Sequence, residues 1–363
     1  MVTKEASWAY RDAFDEAFAR TYFRRFGPGV VSSVGVGTYL GEPTDEADDR
    51  YERAVREAVE SGVSVVDTAV NYRAQRSERA VGRAIEAADA DREALLVATK
   101  GGFVPFDGDR PDDPAAHVRE EWFEPDDASP EEMVRGNCLA PRFLDRSLDL
   151  SLDNLGLDIV DCYYVHNPET QLEERDRETV YDLLEDAFVR LEERREAGDL
   201  RYYGVATWEC FRVAEGHPSY LSLPEIVRRA RTASDRAGTG ATGFRAVQLP
   251  FNVHMADAFT REAHPGPDGP QSALTFAHEA GLDVFASAPL KQGALAREGA
   301  IPEAVASKLA GETPAQRAIN FARSAPGVTA ALVGMGSPEY VAENVGAGRY
   351  EPLGAEAFDA TFE

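Results

Sequence analysis

Short apolar runs recur along the chain, and after each one the apolar residues fall three or four apart. The runs occupy residues 34–37, 63–67, 94–100, 159–166, 202–206, 246–250, 283–287 and 330–333. They are mostly Val, Ile, Ala and Tyr, with little polar alternation, as in strands buried on both faces. Between them, residues 142–155 and 180–197 carry apolar positions at helical spacing, and Gly198 follows the second where a helix end favours glycine. Ser129-Pro130-Glu131-Glu132 and Thr313-Pro314-Ala315-Gln316 each offer a hydroxyl cap, a proline at the first helical position and Glu or Gln three residues on. Both predict helix starts. Eight strand–helix units predict an α/β fold, a (β/α)8 TIM barrel, over an open doubly wound sheet. Gly27-Pro28-Gly29 between 21–26 and 30–33 predicts an N-terminal hairpin ahead of it. Residues 1–20 read as an extra N-terminal segment, and 1–363 as a single barrel domain.

Three segments exceed ordinary connections: 101–128 after strand three, 209–223 after strand five and 252–270 after strand six. Loops beyond about 12 residues are usually functional in compact domains. All three follow strands, so a barrel would gather them on its C-terminal face, where active sites lie.

Charge narrows the partners. The 363 residues include 64 acidic against 38 basic ones, a formal net of -26. Such a surface repels nucleic acid and anionic membrane, whose binding depends on Lys and Arg neutralising phosphates. The acids are spread rather than gathered in a tail, and Lys is scarce beside Arg. This pattern suits a salt-rich cytosol, where ions screen self-repulsion. No run approaches the roughly 20 apolar residues of a membrane helix. The first 20 residues lack the apolar core of a signal peptide, so the expected location is cytoplasmic. Cys138, Cys162 and Cys210 have neither CxxC nor His spacing, and no metal site is expected.

Polar residues stand where the strands end. Asp67 closes strand two and Tyr72 follows in its loop. Lys100 closes strand three, His166 strand four, Thr207 follows strand five, and Gln248 lies near the end of strand six. Each alone has an ordinary reading as a cap, a solvated charge or a packed ring. Together, on neighbouring strands of a barrel, they would converge on one mouth. Gly35-Val36-Gly37 is a poor dinucleotide fingerprint, so a Rossmann site is not expected.

At this level of detail the chain resembles the aldo-keto reductase superfamily, from about Thr21 to Ala347. The resemblance rests on Val65-Val66-Asp67-Thr68-Ala69-Val70-Asn71-Tyr72 with Ser77-Glu78 and Gly82, on Thr99-Lys100, and on the stretch from Ser151-Leu152-Asp153-Asn154-Leu155 to Tyr164-Val165-His166. Gly204-Val205-Ala206-Thr207, Gln248-Leu249-Pro250-Phe251-Asn252, Pro289-Leu290 and Gly334-Met335-Gly336-Ser337 through Glu343-Asn344 continue it.

The resemblance implies a nicotinamide dinucleotide bound extended on a barrel, NADP(H) by family default with NAD possible, and an aldehyde or ketone substrate. It assigns Tyr72 as general acid, Lys100 as the cation that lowers its phenol, Asp67 as the partner of Lys100, and His166 as the group that orients the carbonyl. It places Gly37, Thr38 and Asp67 at the ribose and nicotinamide, and Thr207 and Gln248 at the carboxamide. Ser287, Pro289 and Leu290 fall along the pyrophosphate, Gly334, Gly336 and Ser337 at the adenosine phosphate, and Glu343 and Asn344 at the adenine. Tyr39, Phe103, Trp122, Trp208 and Phe251 would wall the substrate pocket. Three departures from the family stand out. Ala206-Thr207 replaces the frequent Ser-Asn. The Tyr72 loop carries Arg73 and Arg76 in place of glycine, two cations near the site that either meet solvent on the surface or serve an anionic substrate. The Ser337 loop has no Arg or Lys for a 2′-phosphate, so NADPH and NADH should be weakly discriminated unless another Arg folds in.

Two other readings remain open at this stage. One is a Schiff-base lyase with Lys100 as nucleophile, which would have no use for an adenosine site. The other is a redox-sensing regulatory subunit that binds nicotinamide and a protein partner.

Overall fold

The computed structural model describes residues 1–362. Eight parallel strands close into a barrel: Val34–Gly37, Val65–Asp67, Leu96–Gly101, Val160–His166, Leu200–Ala206, Phe244–Pro250, Asp283–Ser287 and Val328–Gly334, numbered one to eight below. Each pairs with its neighbours in sequence, and strand eight returns to strand one through Gly334 opposite Gly37. This is the (β/α)8 barrel that the strand–helix rhythm predicts. Strand bounds differ from the apolar runs by up to two residues at either end, because pairing rather than composition sets where a strand stops.

Two side-chain layers follow from alternation across each strand. Val65, Leu96, Ala98, Cys162, Tyr164, Ala206, Ala246, Phe285, Ala330 and Leu332 fill the barrel interior. Their sequence neighbours Val66, Val97, Tyr163, Val165, Val205, Val247 and Leu249 face the helices. The tight spots are glycines. A Cβ on Gly204 would lie 1.8 Å from the Ala246 carbonyl oxygen, so the approach of strands five and six at this point leaves no room for a side chain.

The hairpin runs Phe23–Phe26 and Gly29–Ser32 around Gly27-Pro28. Phe26 plugs the N-terminal mouth, packing against Tyr202 and Phe285 at ring separations of 5.6 and 6.0 Å. Lys4–Phe14 forms a helix, and the Val2 amide ahead of it donates to the buried Asp161 carboxylate at 2.5 Å. One end of the barrel is thus sealed, and only the C-terminal face is open for ligands.

Thr313 caps the helix Pro314–Ser324, accepting from the Gln316 amide as its sequence predicts. The same device at Ser129 makes its capping box with Glu132 but yields a single turn, Pro130–Glu132. The helix read from the spacing at 142–155 forms separately, from Pro141 to Leu155, with Gly156 left-handed behind it. Met133 is already extended (φ -93°, ψ 120°), and Arg135 and Gly136 at positive φ then turn the chain away.

Candidate active site

Register assembles the mouth of the barrel. Asp67 lies opposite Gly37 and Ala98, Lys100 opposite Tyr164, and Ala206 opposite both His166 and Gln248. Alternation points Lys100 the same way as Ala98, His166 as Tyr164 and Gln248 as Ala246, all into the barrel.

Asp67 is the hub. Its Oδ2 accepts from Lys100 Nζ at 2.7 Å and its Oδ1 from Gln248 Nε2 at 2.7 Å. Lys100 Nζ also donates to the Thr68 carbonyl at 2.7 Å, and Thr38 Oγ1 to the Asp67 carbonyl at 3.2 Å. Both charges are withdrawn from water, with Lys100 wholly buried. Charge-assisted bonds of this length are the strong kind. The ammonium sits 4.8 Å from the centroid of the Tyr72 ring. That ring meets His166 edge-on at 5.9 Å and Tyr39 at 5.0 Å.

Electrostatics separates the groups. Burial by itself would favour a neutral Lys100, but Asp67 and then Tyr72 hold its pKa above the usual lysine value. Burial lifts the Tyr72 phenol above its ordinary value, and Lys100 recovers only part of that rise. The expected net lowering of this phenol is therefore corrected: desolvation outweighs the cation. Burial, aided by Lys100, pushes His166 down to about 3. At neutral pH it is an uncharged imidazole, able to donate one N–H.

His166 is held from behind. Asn137 Nδ2 donates to its carbonyl at 2.9 Å, and Gln171 Nε2 fixes Asn137 at 2.8 Å. His166 Nδ1 and Asn71 Oδ1 have no protein partner. Both residues face a cavity of about 970 Å³ that runs from Tyr72 and His166 to Glu343 and Asn344. Of the residues singled out by sequence, Gly37, Thr38, Tyr39, Asp67, Tyr72, Phe103, His166, Thr207, Trp208, Gln248, Ser287, Pro289, Leu290, Gly334, Gly336, Ser337, Glu343 and Asn344 all line it. Lys100 lies beneath its floor.

Other expectations are corrected. Trp122 is outside the cavity: it packs on Phe143 at 4.4 Å with the Arg146 guanidinium over its ring, pinning the long loop to the helix Pro141–Leu155. Phe251 is also outside. It stands an odd number of residues from the inward Gln248, so it faces the helices and stacks on Phe321 at 5.8 Å. Arg73 and Arg76 turn away from the mouth. Arg73 donates to the Glu42 carbonyl at 3.0 Å and pairs with Asp48, which also binds Arg76. Their work is local: Arg73, Ala74 and Gln75 are all left-handed, at φ of 49°, 56° and 69°. Without glycine that backbone is strained, and these bonds, with Gln75 on the Phe106 carbonyl, hold it. Beyond Ser337 there is a single turn, Pro338–Tyr340, and the helix proper is only Val341–Gly346.

Sequence reasoning missed Asn137 and Gln171, whose roles depend on a fold-back of the 101–137 segment. It also missed Glu169, whose buried Oε1 accepts from the amides of Trp208 and Glu209 at 2.6 and 2.9 Å and so sets the Trp208 wall. Its position just after Asn167-Pro168, beside the strand-four end, was the available signal.

The buried histidines carry a pH signature. Burial lowers His166 to about 3 and His264, enclosed by Phe211 and Tyr220, to about 4. Both folded values lie below the unfolded one, so the unfolded chain takes up the protons first and stability falls as pH drops below about 6.5. Each histidine should cost roughly 2–3 kcal/mol between pH 6.5 and 4.5, at 1.36 kcal/mol per unit. Urea midpoints at the two pH values test this. His264→Gln should shrink the drop, and an unchanged drop would show that the ring titrates normally.

The Aldo/keto reductase family matches residues 33–361. The chain belongs to this family. Over 334 residues it is 21% identical to a putative voltage-gated potassium channel subunit beta of Schizosaccharomyces pombe, covering 87% of this chain and 84% of that one. Its fold is similar to that of an aldo-keto reductase of Bacillus halodurans in holo form, with a TM-score of 0.63 at 20% identity over 94% of this chain and 95% of the other. It is also similar to an aldo/keto reductase of Klebsiella pneumoniae in complex with NADP and acetate, with a TM-score of 0.61 at 19% identity over 94% of each chain. Among the described residues no helix is long and apolar enough to cross a membrane.

Proposed function

We propose that this protein is an NADP(H)-dependent oxidoreductase that reduces an aldehyde or ketone to the alcohol, or runs the reverse reaction. The observation that carries the reading is the buried Lys100–Asp67 pair set under Tyr72, beside a neutral His166, at one end of a long cavity. The residues present fit an extended dinucleotide. The cavity has the volume for it, Asn71 Oδ1 and His166 Nδ1 await polar partners, and the family resemblance assigns its far wall from Gly334 to Asn344 to the adenosine. The NADP complex of the Klebsiella pneumoniae structure supports the choice of cofactor.

Bound there, the nicotinamide would supply or accept a hydride. The protein's part is to place the carbonyl and manage one proton. His166 donates a ring N–H to the carbonyl oxygen, and Tyr72 hands its phenolic proton to the same oxygen as alkoxide charge develops. The resting pKa of Tyr72, above the ordinary value, keeps the donor protonated at neutral pH. Once the proton leaves, the phenolate lies next to a fixed ammonium, so Lys100 stabilises the charge when it forms. Tyr39, Phe103 and Trp208 wall the entrance, a largely apolar lining that suits a broad range of carbonyl compounds. Gln248, with its amide given to Asp67, positions that carboxylate. The Schiff-base alternative needs a neutral, accessible amine; Lys100 is buried and held cationic.

A second reading, a nicotinamide-binding regulatory subunit, draws support from the similarity to the Schizosaccharomyces pombe channel subunit. Both readings concern a chain with 64 acidic against 38 basic residues, an excess we assign to the cytoplasm of a salt-accumulating cell. One experiment addresses these points: NADPH oxidation followed by absorbance against a panel of aldehydes and ketones, from low to molar KCl. Turnover and the thermal midpoint should both rise with KCl. No turnover with tight NADPH binding would favour the regulatory reading, and a flat or falling salt response would defeat the halophilic one.

A further inference from the structure

The loop expected to read the adenosine phosphate, Gly334-Met335-Gly336-Ser337, carries no cation. Arg349, in the turn Ala347–Arg349, does not reach the cavity. Among the described residues a single lysine or arginine lines the cavity, and it comes from elsewhere: Arg50, in the second turn of the helix Asp45–Glu60 that follows strand one.

Its neighbour Tyr51 shows where that helix lies. A Cβ on Gly336 would come within 3.2 Å of Tyr51 Oη, so the absence of a side chain at Gly336 lets the helix close against the loop. Tyr51 is anchored by its hydroxyl on the Leu40 carbonyl and by the Arg73 guanidinium 5.0 Å over its ring. Arg50 is thereby held at the wall that Gly336, Ser337, Glu343 and Asn344 also form. The guanidinium is committed only weakly. Its Nη1 meets Glu46 Oε1 at 2.8 Å, but the two side chains are 39% and 86% exposed. Such a surface pair within one helix is weak and screened by salt, and a phosphate dianion can replace it.

We propose that Arg50 binds the 2′-phosphate of NADP(H) and makes this protein select NADPH over NADH, in place of the missing cation in the Ser337 loop. The inference rests on the reductase reading above. A guanidinium offers a planar pair of donors matched to phosphate oxygens. NADH presents a neutral hydroxyl at the same place and gains little from it.

The test is binding rather than turnover. NADPH and NADH are titrated by quenching of intrinsic tryptophan fluorescence (Trp208 lines the cavity), and 2′,5′-ADP and 5′-AMP by calorimetry. The wild type should prefer NADPH and 2′,5′-ADP. Arg50→Gln should weaken both by roughly 10- to 100-fold, the scale of a lost bond to a charged group, with NADH and 5′-AMP changed less than about threefold. Arg50→Lys should retain part of the preference, and Glu46→Gln should keep or strengthen it by freeing the guanidinium. Equal affinity of the wild type for NADPH and NADH overturns the inference and leaves the reductase reading standing. So does an Arg50→Gln protein that still prefers NADPH, or one that loses both cofactors alike. A wild type that binds neither dinucleotide overturns both.

Discussion

Replacing Tyr72 with Phe should lower carbonyl turnover by ~10²-fold or more, the usual scale for a lost general acid, while NADPH affinity changes less than about twofold. The substitution removes one oxygen and keeps the ring. The contacts that hold the ring in place, Tyr39 at 5.0 Å, His166 at 5.9 Å and the Lys100 ammonium at 4.8 Å, are made by its face and edge. The cavity wall is therefore unchanged and cofactor binding reports an intact site. Stability should change little, because the packed ring and its contacts are retained. Steady-state rates and fluorescence titration on one preparation check it. Near-wild-type turnover would remove Tyr72 from the chemistry.

Lys100→Met should act on both fold and rate. It leaves Asp67 as a buried carboxylate with Gln248 as its remaining side-chain donor. Breaking one partner of a buried pair typically costs about 3–5 kcal/mol, because the other charge stays uncompensated. Asp67→Asn together with Lys100→Met removes both charges and should recover much of that loss without recovering turnover. Denaturant midpoints for the two single variants and the double variant give the coupling directly. A Lys100→Met protein as stable as the wild type would mean the pair is not charged in the fold. The same preparations separate reductase from lyase. Borohydride with a carbonyl substrate should leave Lys100 unmodified, and a stable adduct there with an active Tyr72→Phe variant would overturn the reductase reading.

The loop that carries Tyr72 shows how local chemistry and tertiary packing divide the work. Arg73, Ala74 and Gln75 hold left-handed backbone that glycine would adopt at no steric cost. Nothing within those three residues favours the conformation. Bonds from Arg73 to Glu42 and Asp48, and from Gln75 to Phe106, supply the compensation from segments some 30 positions away. Read locally, the two arginines were free cations beside a site. Folded, they are the clamps of the loop that presents the phenol.

By itself the sequence determined the strand–helix alternation, the barrel, the N-terminal hairpin and the residues at each strand end. These follow from period-2 and period-3.6 patterns and from turn and cap chemistry, which are read within a few residues. Given parallel neighbours in order, the last residues of the strands had to meet at one mouth. Only the tertiary structure decided what depends on sums over distant groups. Trp122 became an anchor because the 101–137 segment folds back onto the helix Pro141–Leu155, and Phe251 a helix-facing core residue through the phase of strand six. The direction of the Tyr72 shift turned on how much water the assembled walls exclude, against one ammonium. Arg50 reached the cavity because Gly336 has no side chain to keep its helix away. In each case the decisive neighbour lies far along the chain, and desolvation and close approach exist only once the chain has folded.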